Sequence, residues 1–289
     1  YFVKKNKEVR EQKVEVEQQK ELAEKQQQIA EQQKEILGKQ HREIRDSINY
    51  AQSLQRSVLP SKEDVTQNFP NSFVLLKPKD VVSGDFYWTY KKDDLVYLAV
   101  VDCTGHGVPG AFMTIIGINI IKEILQEGIL NVDQILLEIN RRLIARLSQR
   151  NEVSVKDGMD LSLCVIDDTT IEFSGAHLPL YHVRDGELVE YKGSNIFLGN
   201  ENETGPIKTH YIPYKKGDHI YLVTDGFPDQ RGGEKGKKYY YKPLRDLLIK
   251  NVATSLDQQK MLLQTEFENW IKEGNKGQMD DVSIIGIKF

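Results

Sequence analysis

Apolar side chains recur at every seventh residue along the N-terminal stretch: Phe2, Val9, Val16, Ala23, Ala30, Leu37, Ile44, Ala51 and Val58. Seven residues make close to two helical turns, so this row lies on one face and forms a heptad seam. The row three residues further on is polar (Gln12, Gln19, Gln26, Gln33, Gln40), while Leu22, Ile29 and Ile36 add a partial second stripe. No proline precedes Pro60, and Gly38 is the only glycine before it. The pattern predicts a single long helix that Pro60 stops, because proline lacks the amide donor and clashes with the preceding turn. One apolar row beside one glutamine row predicts a coiled coil of moderate stability, and with it a homodimer through this helix. A passive stalk and a conduit for a signal from an upstream sensor domain both suit such a helix. The last turns, Ile48 to Pro60, carry more apolar residues than a two-helix seam uses, and are expected to pack on the following body near the strand that begins at Asp85.

Beyond Pro60 the period changes to two. Strands are predicted at Phe73–Leu76, Phe86–Tyr90, Val96–Val101, Leu161–Ile166, Ile171–Ser174, Leu180–Val183, Leu188–Tyr191, Ile220–Thr224 and Ser283–Lys288. Helices are predicted at Ala111–Gln126, Val132–Gln149, Pro243–Asn251 and Leu256–Lys272, each with apolar residues at spacings of three and four. The strands come in runs, with the helices gathered between the runs. That order predicts an α+β domain of antiparallel sheets covered by helices, not a doubly wound parallel fold. The expected division is a coiled-coil signalling helix and linker at 1–60 and a globular domain at 61–289.

Composition narrows the function. Hydrophobic residues make up 39% of the 289-residue chain and charged residues 28%, enough for a sizeable core. The net charge of −4 gives no basic footprint, which argues against nucleic acid as a partner. Cys103 and Cys164, the two cysteines, each sit in an apolar run and read as buried reduced thiols, so the expected compartment is the cytoplasm. No apolar run reaches the roughly 18 residues that a spanning helix needs. The opening Tyr-Phe-Val followed by Lys4, Lys5, Lys7 and Arg10 also suits the cytoplasmic part of a membrane-anchored protein.

Carboxylates stand repeatedly at strand ends beside glycine. They are Asp85 after Gly84, Asp102 closing an apolar run, Asp157 and Asp160 around Gly158, Asp225 before Gly226, and the pair Asp280 and Asp281 ahead of the last strand. A single Asp-Gly is usually a turn. Runs such as Tyr97–Asp102 and Ile220–Asp225, however, aim the carboxylate rigidly from a core strand. Carboxylates converging at a sheet rim repel one another unless a divalent cation neutralises them, and an all-oxygen donor set suits Mg²⁺ or Mn²⁺. Two such ions about 3.5–4 Å apart would activate a water for in-line attack at phosphorus. The segment from Asp102 to Ala111 is glycine-rich ahead of a helix but lacks the Gly-Lys-Ser/Thr ending of a nucleotide-binding P-loop.

Several of these segments carry a family resemblance. They are Ile48–Pro60 (INYAQSLQRSVLP), Lys77–Trp88 (KPKDVVSGDFYW), Asp102–Met113 (DCTGHGVPGAFM), Asp157–Asp160 (DGMD), Phe173–Ala176 (FSGA), Thr224–Gly226 (TDG) and Gln278–Ser283 (QMDDVS). In order and spacing they resemble the SpoIIE-like branch of the PPM phosphatases, bacterial relatives of the type 2C protein serine/threonine phosphatases. The resemblance implies an αββα sandwich with two metal ions between the sheets, and a third optional ion. It implies that Asp102 bridges both ions, that Asp225 and Asp280 hold the first with Asp281 beside them, and that the Cys103 carbonyl and Asp85 serve the second. Asp157 or Asp160 would serve the third. The nucleophile would be water, with no phospho-enzyme, and the substrate a phosphorylated regulatory protein such as an anti-anti-sigma factor. No equivalent is evident for the arginine with which eukaryotic relatives grip phosphate; His106, Lys237 and Lys238 are candidates. Arg231 stands where this branch usually has an aromatic residue. A catalytically silent interaction module with the same fold is the alternative, although no core carboxylate is missing.

Overall fold

The computed structural model describes residues 2–147, 157–201 and 205–289, with side chains from residue 17 onward except that of Gln18. The chain divides into two compact units, residues 1–50 and 51–289.

The described residues of the first unit are all helix, part of α1 (Phe2–Val58). Leu22, Ile29, Ile36, Leu37 and Ile44 stand 54–59% exposed along it, the apolar stripe that the heptad spacing marks. The seam positions Phe2, Val9 and Val16 lie outside the described side chains.

The second unit opens with the last turns of α1. Here the attachment differs from the apolar one expected. Leu54 is 47% exposed, and the buried residue is Gln55. Its amide donates to the Ser83 carbonyl at 2.6 Å and its carbonyl oxygen accepts from the Ser83 amide at 3.2 Å. Gln52 reaches the Val81 carbonyl two residues away. A side-chain amide carries both a donor and an acceptor, so it can pair with a strand-like backbone that an aliphatic residue could only touch. Val58 and Leu59 add apolar packing against the core.

A short helix α2 (Lys62–Asn68) follows. A capping box between Ser61 and Asp64 starts it, and Val65 is its one buried residue. Ten strands then build two antiparallel sheets. The first has β1 (Ser72–Lys77), β12 (Val282–Lys288), β9 (His219–Val223), β6 (Leu180–Arg184) and β7 (Glu187–Tyr191), in that spatial order. The second has β2 (Phe86–Lys92), β3 (Leu95–Cys103), β4 (Met159–Ile166), β5 (Thr170–Ala176) and β8 (Thr209–Pro213). Helices α3 (Gly107–Gln126) and α4 (Val132–Leu147) cover the second sheet, while α6 (Tyr241–Asn251) and α7 (Leu256–Glu273) cover the first. Between β9 and α6 lie the single turn α5 (Gly226–Asp229) and the hairpin β10 (Arg231–Gly232) and β11 (Lys237–Lys238).

Three apolar layers follow from strand alternation. Leu98, Val100, Tyr87, Leu222 and Ile285 meet between the sheets. Tyr97, Ala99 and Val101 face α3 and α4, and Tyr221, Val223 and Ile284 face α6 and α7. The αββα sandwich expected of the chain is the fold it adopts. α3 starts four residues before the apolar period does, because Gly107 and Pro109 fall in its first turn, where free amides make proline harmless. It is long and apolar enough to cross a bilayer, but 56% of that window is buried as core. The predicted end of α4 at Ser148 and Gln149 lies outside the described residues.

Candidate metal centre

The alternation that builds the middle layer also places the carboxylates. In β3 the side chains of Leu98 and Val100 point between the sheets, so Asp102, two residues on, points there as well. The same parity from Tyr87 brings in Asp85, and from Ile285 it brings in Ser283 and Asp281. From Leu222 it brings in Thr224, and from Cys164 Ser162 and Asp160. Asp225 follows at the start of α5, where the close approach of chains requires glycine. A Cβ on Gly226 would lie 1.8 Å from the Asp281 carbonyl oxygen.

Asp85 is 2% exposed, and the Thr224 hydroxyl donates to its Oδ2 at 2.7 Å. Burial pushes its carboxyl well above the ordinary range; the Thr224 hydrogen bond opposes this, and the charges of Asp281, Asp280 and Asp225 add to it. Asp102 is raised well above the ordinary range too, first by burial and then by Asp85 and Asp225. The proximity of Asp102 and Asp225 acts on both, raising Asp102 and lowering Asp225, because two neighbouring carboxylates resist ionising together. Asp225 is raised by burial, and Asp280, exposed at the rim, contributes charge to all three. Burial, with Asp102 and Asp85 nearby, pushes the Cys103 thiol up, and that thiol faces the α3 layer. The Cys103 carbonyl points elsewhere, to within 3.1 Å of where a Cβ on Gly84 would stand.

Asp281 is engaged differently. Its Oδ1 accepts from the Lys79 amide and its Oδ2 from the Gly84 amide, both at 2.7 Å. It ties the loop that carries Asp85 to the strand that follows Asp280. Asp160 is the cross-strand partner of Asp102 and pairs with His177 Nδ1 at 2.9 Å. Asp157 sits half-buried outside β4, in a turn held to the Asp102 loop by Thr104. The Thr104 amide donates to the Gly158 carbonyl at 3.0 Å, and its hydroxyl accepts from the Gly158 amide at 3.1 Å.

The phosphate-binding candidates are each at the surface. His106 lies between Asp80 and Lys79, at 2.7 Å from each. Lys238 pairs with Asp229 at 2.7 Å and lowers Asp225, while Lys237 is exposed on β11. Arg231 is exposed on β10; its neighbour Gln230 is buried and binds both the Gly277 carbonyl and the Met279 amide, which fixes the approach to Asp280. Thr224 and His177 were not singled out from the sequence. Thr224 was legible, since it continues the parity of Ile220 and Leu222. His177 gives no comparable signal, because its place depends on a left-handed backbone, φ 54°, after β5.

Do these residues fit a divalent cation? Among the described residues no Lys or Arg forms an ion pair with Asp85, Asp102, Asp225 or Asp280. Nor do any three acidic, His or Cys side chains among them stand close enough to hold an ion as they are. The donor chemistry decides the question. Burial raises Asp85, Asp102 and Asp225, Asp280 adds its charge to them, and hard oxygen donors crowded in this way are what Mg²⁺ or Mn²⁺ draws together. The residues fit.

Residues 92–289 match the family of stage II sporulation protein E (SpoIIE). The chain belongs to the SpoIIE family. The SiaA-PP2C domain of Pseudomonas aeruginosa is 33% identical, with a TM-score of 0.78 over 86% of this chain and 98% of that one. Phosphoserine phosphatase RsbU of Bacillus subtilis (strain 168) is 23% identical over 251 residues, 86% of this chain and 71% of its own length. RsbX, solved in complex with magnesium, shares the fold at 16% identity and a TM-score of 0.53, over 75% of this chain and 94% of that one. The body is therefore a metal-dependent protein phosphatase of the PP2C type, a component of bacterial signalling.

Proposed function

We propose that this SpoIIE-family phosphatase removes phosphate from serine or threonine of a small phosphorylated regulatory protein in a partner-switching pathway, on the cytoplasmic side. One observation carries the choice of centre: Asp85, Asp102 and Asp225, with Asp280 at the rim, act on one another through their charges, and among the described residues none of the four is held in an ion pair. The name of RsbU, a phosphoserine phosphatase, supports the substrate class.

Asp102, Asp225, Asp280, Asp85 and the Cys103 carbonyl would hold two Mn²⁺ or Mg²⁺ ions, and Asp157 or Asp160 a third. Bound there, divalent cations lower the pKa of water and stabilise charge on phosphoryl oxygens. The protein's own part is positioning. Thr224 fixes the Asp85 carboxylate, Asp281 fixes the loop before it, and Gln230 fixes the approach to Asp280. The test is phosphate release from a phosphoserine peptide by the full chain, with Mn²⁺ and then with excess chelator. Release that persists in chelator would remove the metal reading.

The exposed row of Leu22, Ile29, Ile36, Leu37 and Ile44 supports a homodimer through α1, since a lone helix leaves this face in water. Light scattering on the 289-residue chain is expected to give twice the chain mass. A monomer at micromolar concentration would rule the dimer out.

A further inference from the structure

A cavity of about 310 Å³ opens next to the carboxylate cluster. His177, Glu190, Lys192, Ser194, Asn195 and Tyr241 line it. One contact fixes its place, and one charge effect agrees with it. His177 holds Asp160, which lies opposite Asp102 in the β3–β4 ladder. Tyr241, on the other wall, feels the carboxylates as well: burial raises its hydroxyl pKa, and the charges of Asp225, Asp229 and Asp102 raise it further.

The walls are pinned before any ligand arrives. The Ser194 amide donates to the Gly175 carbonyl at 2.7 Å, and the Ser194 carbonyl accepts from the His177 amide at 2.9 Å. The Ser194 hydroxyl accepts from the Lys208 amide at 2.8 Å. The one acidic lining residue, Glu190, is already paired with Arg245. At the exposed lip the Lys192 ammonium and the Asn195 amide have no side-chain partner among the described residues, so the groups on offer are donors and positive charge. A pocket whose walls are already set takes an anionic ligand at the cost of ordering only the Lys192 and Asn195 side chains.

We propose that this pocket docks the stretch of the phosphoprotein next to its phosphorylated residue, with an acidic side chain of that stretch set on Lys192 and Asn195. This docking presupposes the phosphatase activity above and adds to it a preference for acidic sequence. The nearby carboxylate centre would otherwise repel such a stretch; Lys192 offsets that repulsion at the entrance.

The probes are two synthetic phosphoserine peptides, one flanked by Asp and Glu and the other by Lys, with p-nitrophenyl phosphate as a control for the chemistry. With the full chain and Mn²⁺, the acidic peptide is expected to show a KM about tenfold below that of the basic one, a ratio that shrinks as salt screens the contact. Lys192→Glu is expected to bring the ratio to one or below, and Asn195→Ala to reduce it in part. Equal KM values for the two peptides, or a ratio that Lys192→Glu leaves as it was, overturn the pocket while the phosphatase reading stands. Failure of the unmodified protein to hydrolyse p-nitrophenyl phosphate strikes the phosphatase reading itself, and the pocket falls with it.

Discussion

Asp102→Asn is expected to lower Mn²⁺-stimulated phosphate release by about three orders of magnitude and to leave the metal-free protein at least as stable as before. Two effects of opposite sign meet at this residue. For catalysis, in the proposed centre the carboxylate, which feels the charges of both Asp85 and Asp225, would supply charge that holds the cations. Losing several kcal/mol of transition-state stabilisation costs roughly a factor of ten for each 1.4 kcal/mol. For folding, the same carboxylate is a liability without metal, because burial and two neighbouring carboxylates push its pKa well up. An amide of the same shape removes that charge, and replacing an uncompensated buried charge is neutral or stabilising. The measurement is a pair of melting curves with a turnover assay, each with Mn²⁺ and with chelator. In the unmodified protein Mn²⁺ is expected to raise Tm, since a ligand that binds only the folded state stabilises it; in the variant that increment is expected to shrink. Near-normal turnover in the variant would remove Asp102 from the centre. So would an unchanged Mn²⁺ increment.

Much of this site was legible in the sequence because strand alternation is a strict rule. Once Val96–Val101 is recognised as a strand, the side of the sheet on which Asp102 falls follows from counting, and the same holds for Asp85 before β2. The layered class was legible for the same reason. What escaped lacked periodicity or was made by tertiary contact. β8 has one fully buried residue, Ile212, and ends in a proline, so it shows almost no apolar alternation. α2 did carry a start signal, Ser61 with Asp64 three residues on, but its seven residues are too short for a helical period to show. The hairpin β10–β11 has two residues in each strand.

Polar attachment was the harder miss. An apolar count over Ile48–Pro60 points to Leu54, whereas the structure buries Gln55 and leaves Leu54 in water. A glutamine in a glutamine-rich helix has no local mark that sets it apart from Gln52 or Gln40; the Ser83 backbone opposite it makes the difference. Asp281 is similar. Sequence places it next to Asp280 as a ligand-type residue, and only the fold reveals the Lys79 and Gly84 amides waiting for both of its oxygens.

Thr224 shows how a residue that touches no substrate can govern the centre. Its hydroxyl donates to Asp85 Oδ2 at 2.7 Å and accepts from the Ser283 amide at 2.9 Å, so one oxygen links a carboxylate of one sheet to the backbone of the other. Among the described residues the Asp85 carboxylate has no other hydrogen-bond partner, and its burial favours the neutral form. Without the hydroxyl, the carboxylate loses both its orientation and the one interaction that favours its charged state, the state in which it would hold an ion in the proposed centre. Thr224→Val keeps the shape and removes the bond. Residues that orient a metal ligand typically contribute 10–100-fold in metal affinity. The Mn²⁺ concentration for half-maximal activity is therefore expected to rise by about that factor in Thr224→Val, with Thr224→Ser close to the unmodified protein. Stability is also expected to fall, by about 1–3 kcal/mol, because the buried Ser283 amide loses its acceptor. Calorimetric titration with Mn²⁺ separates the two consequences, since it reads affinity in whatever fraction is folded. If Thr224→Val binds Mn²⁺ as tightly as the unmodified protein while melting earlier, Thr224 merely pins the two sheets together. If affinity falls in the valine variant and returns in the serine variant, the hydroxyl sets the carboxylate for the ion.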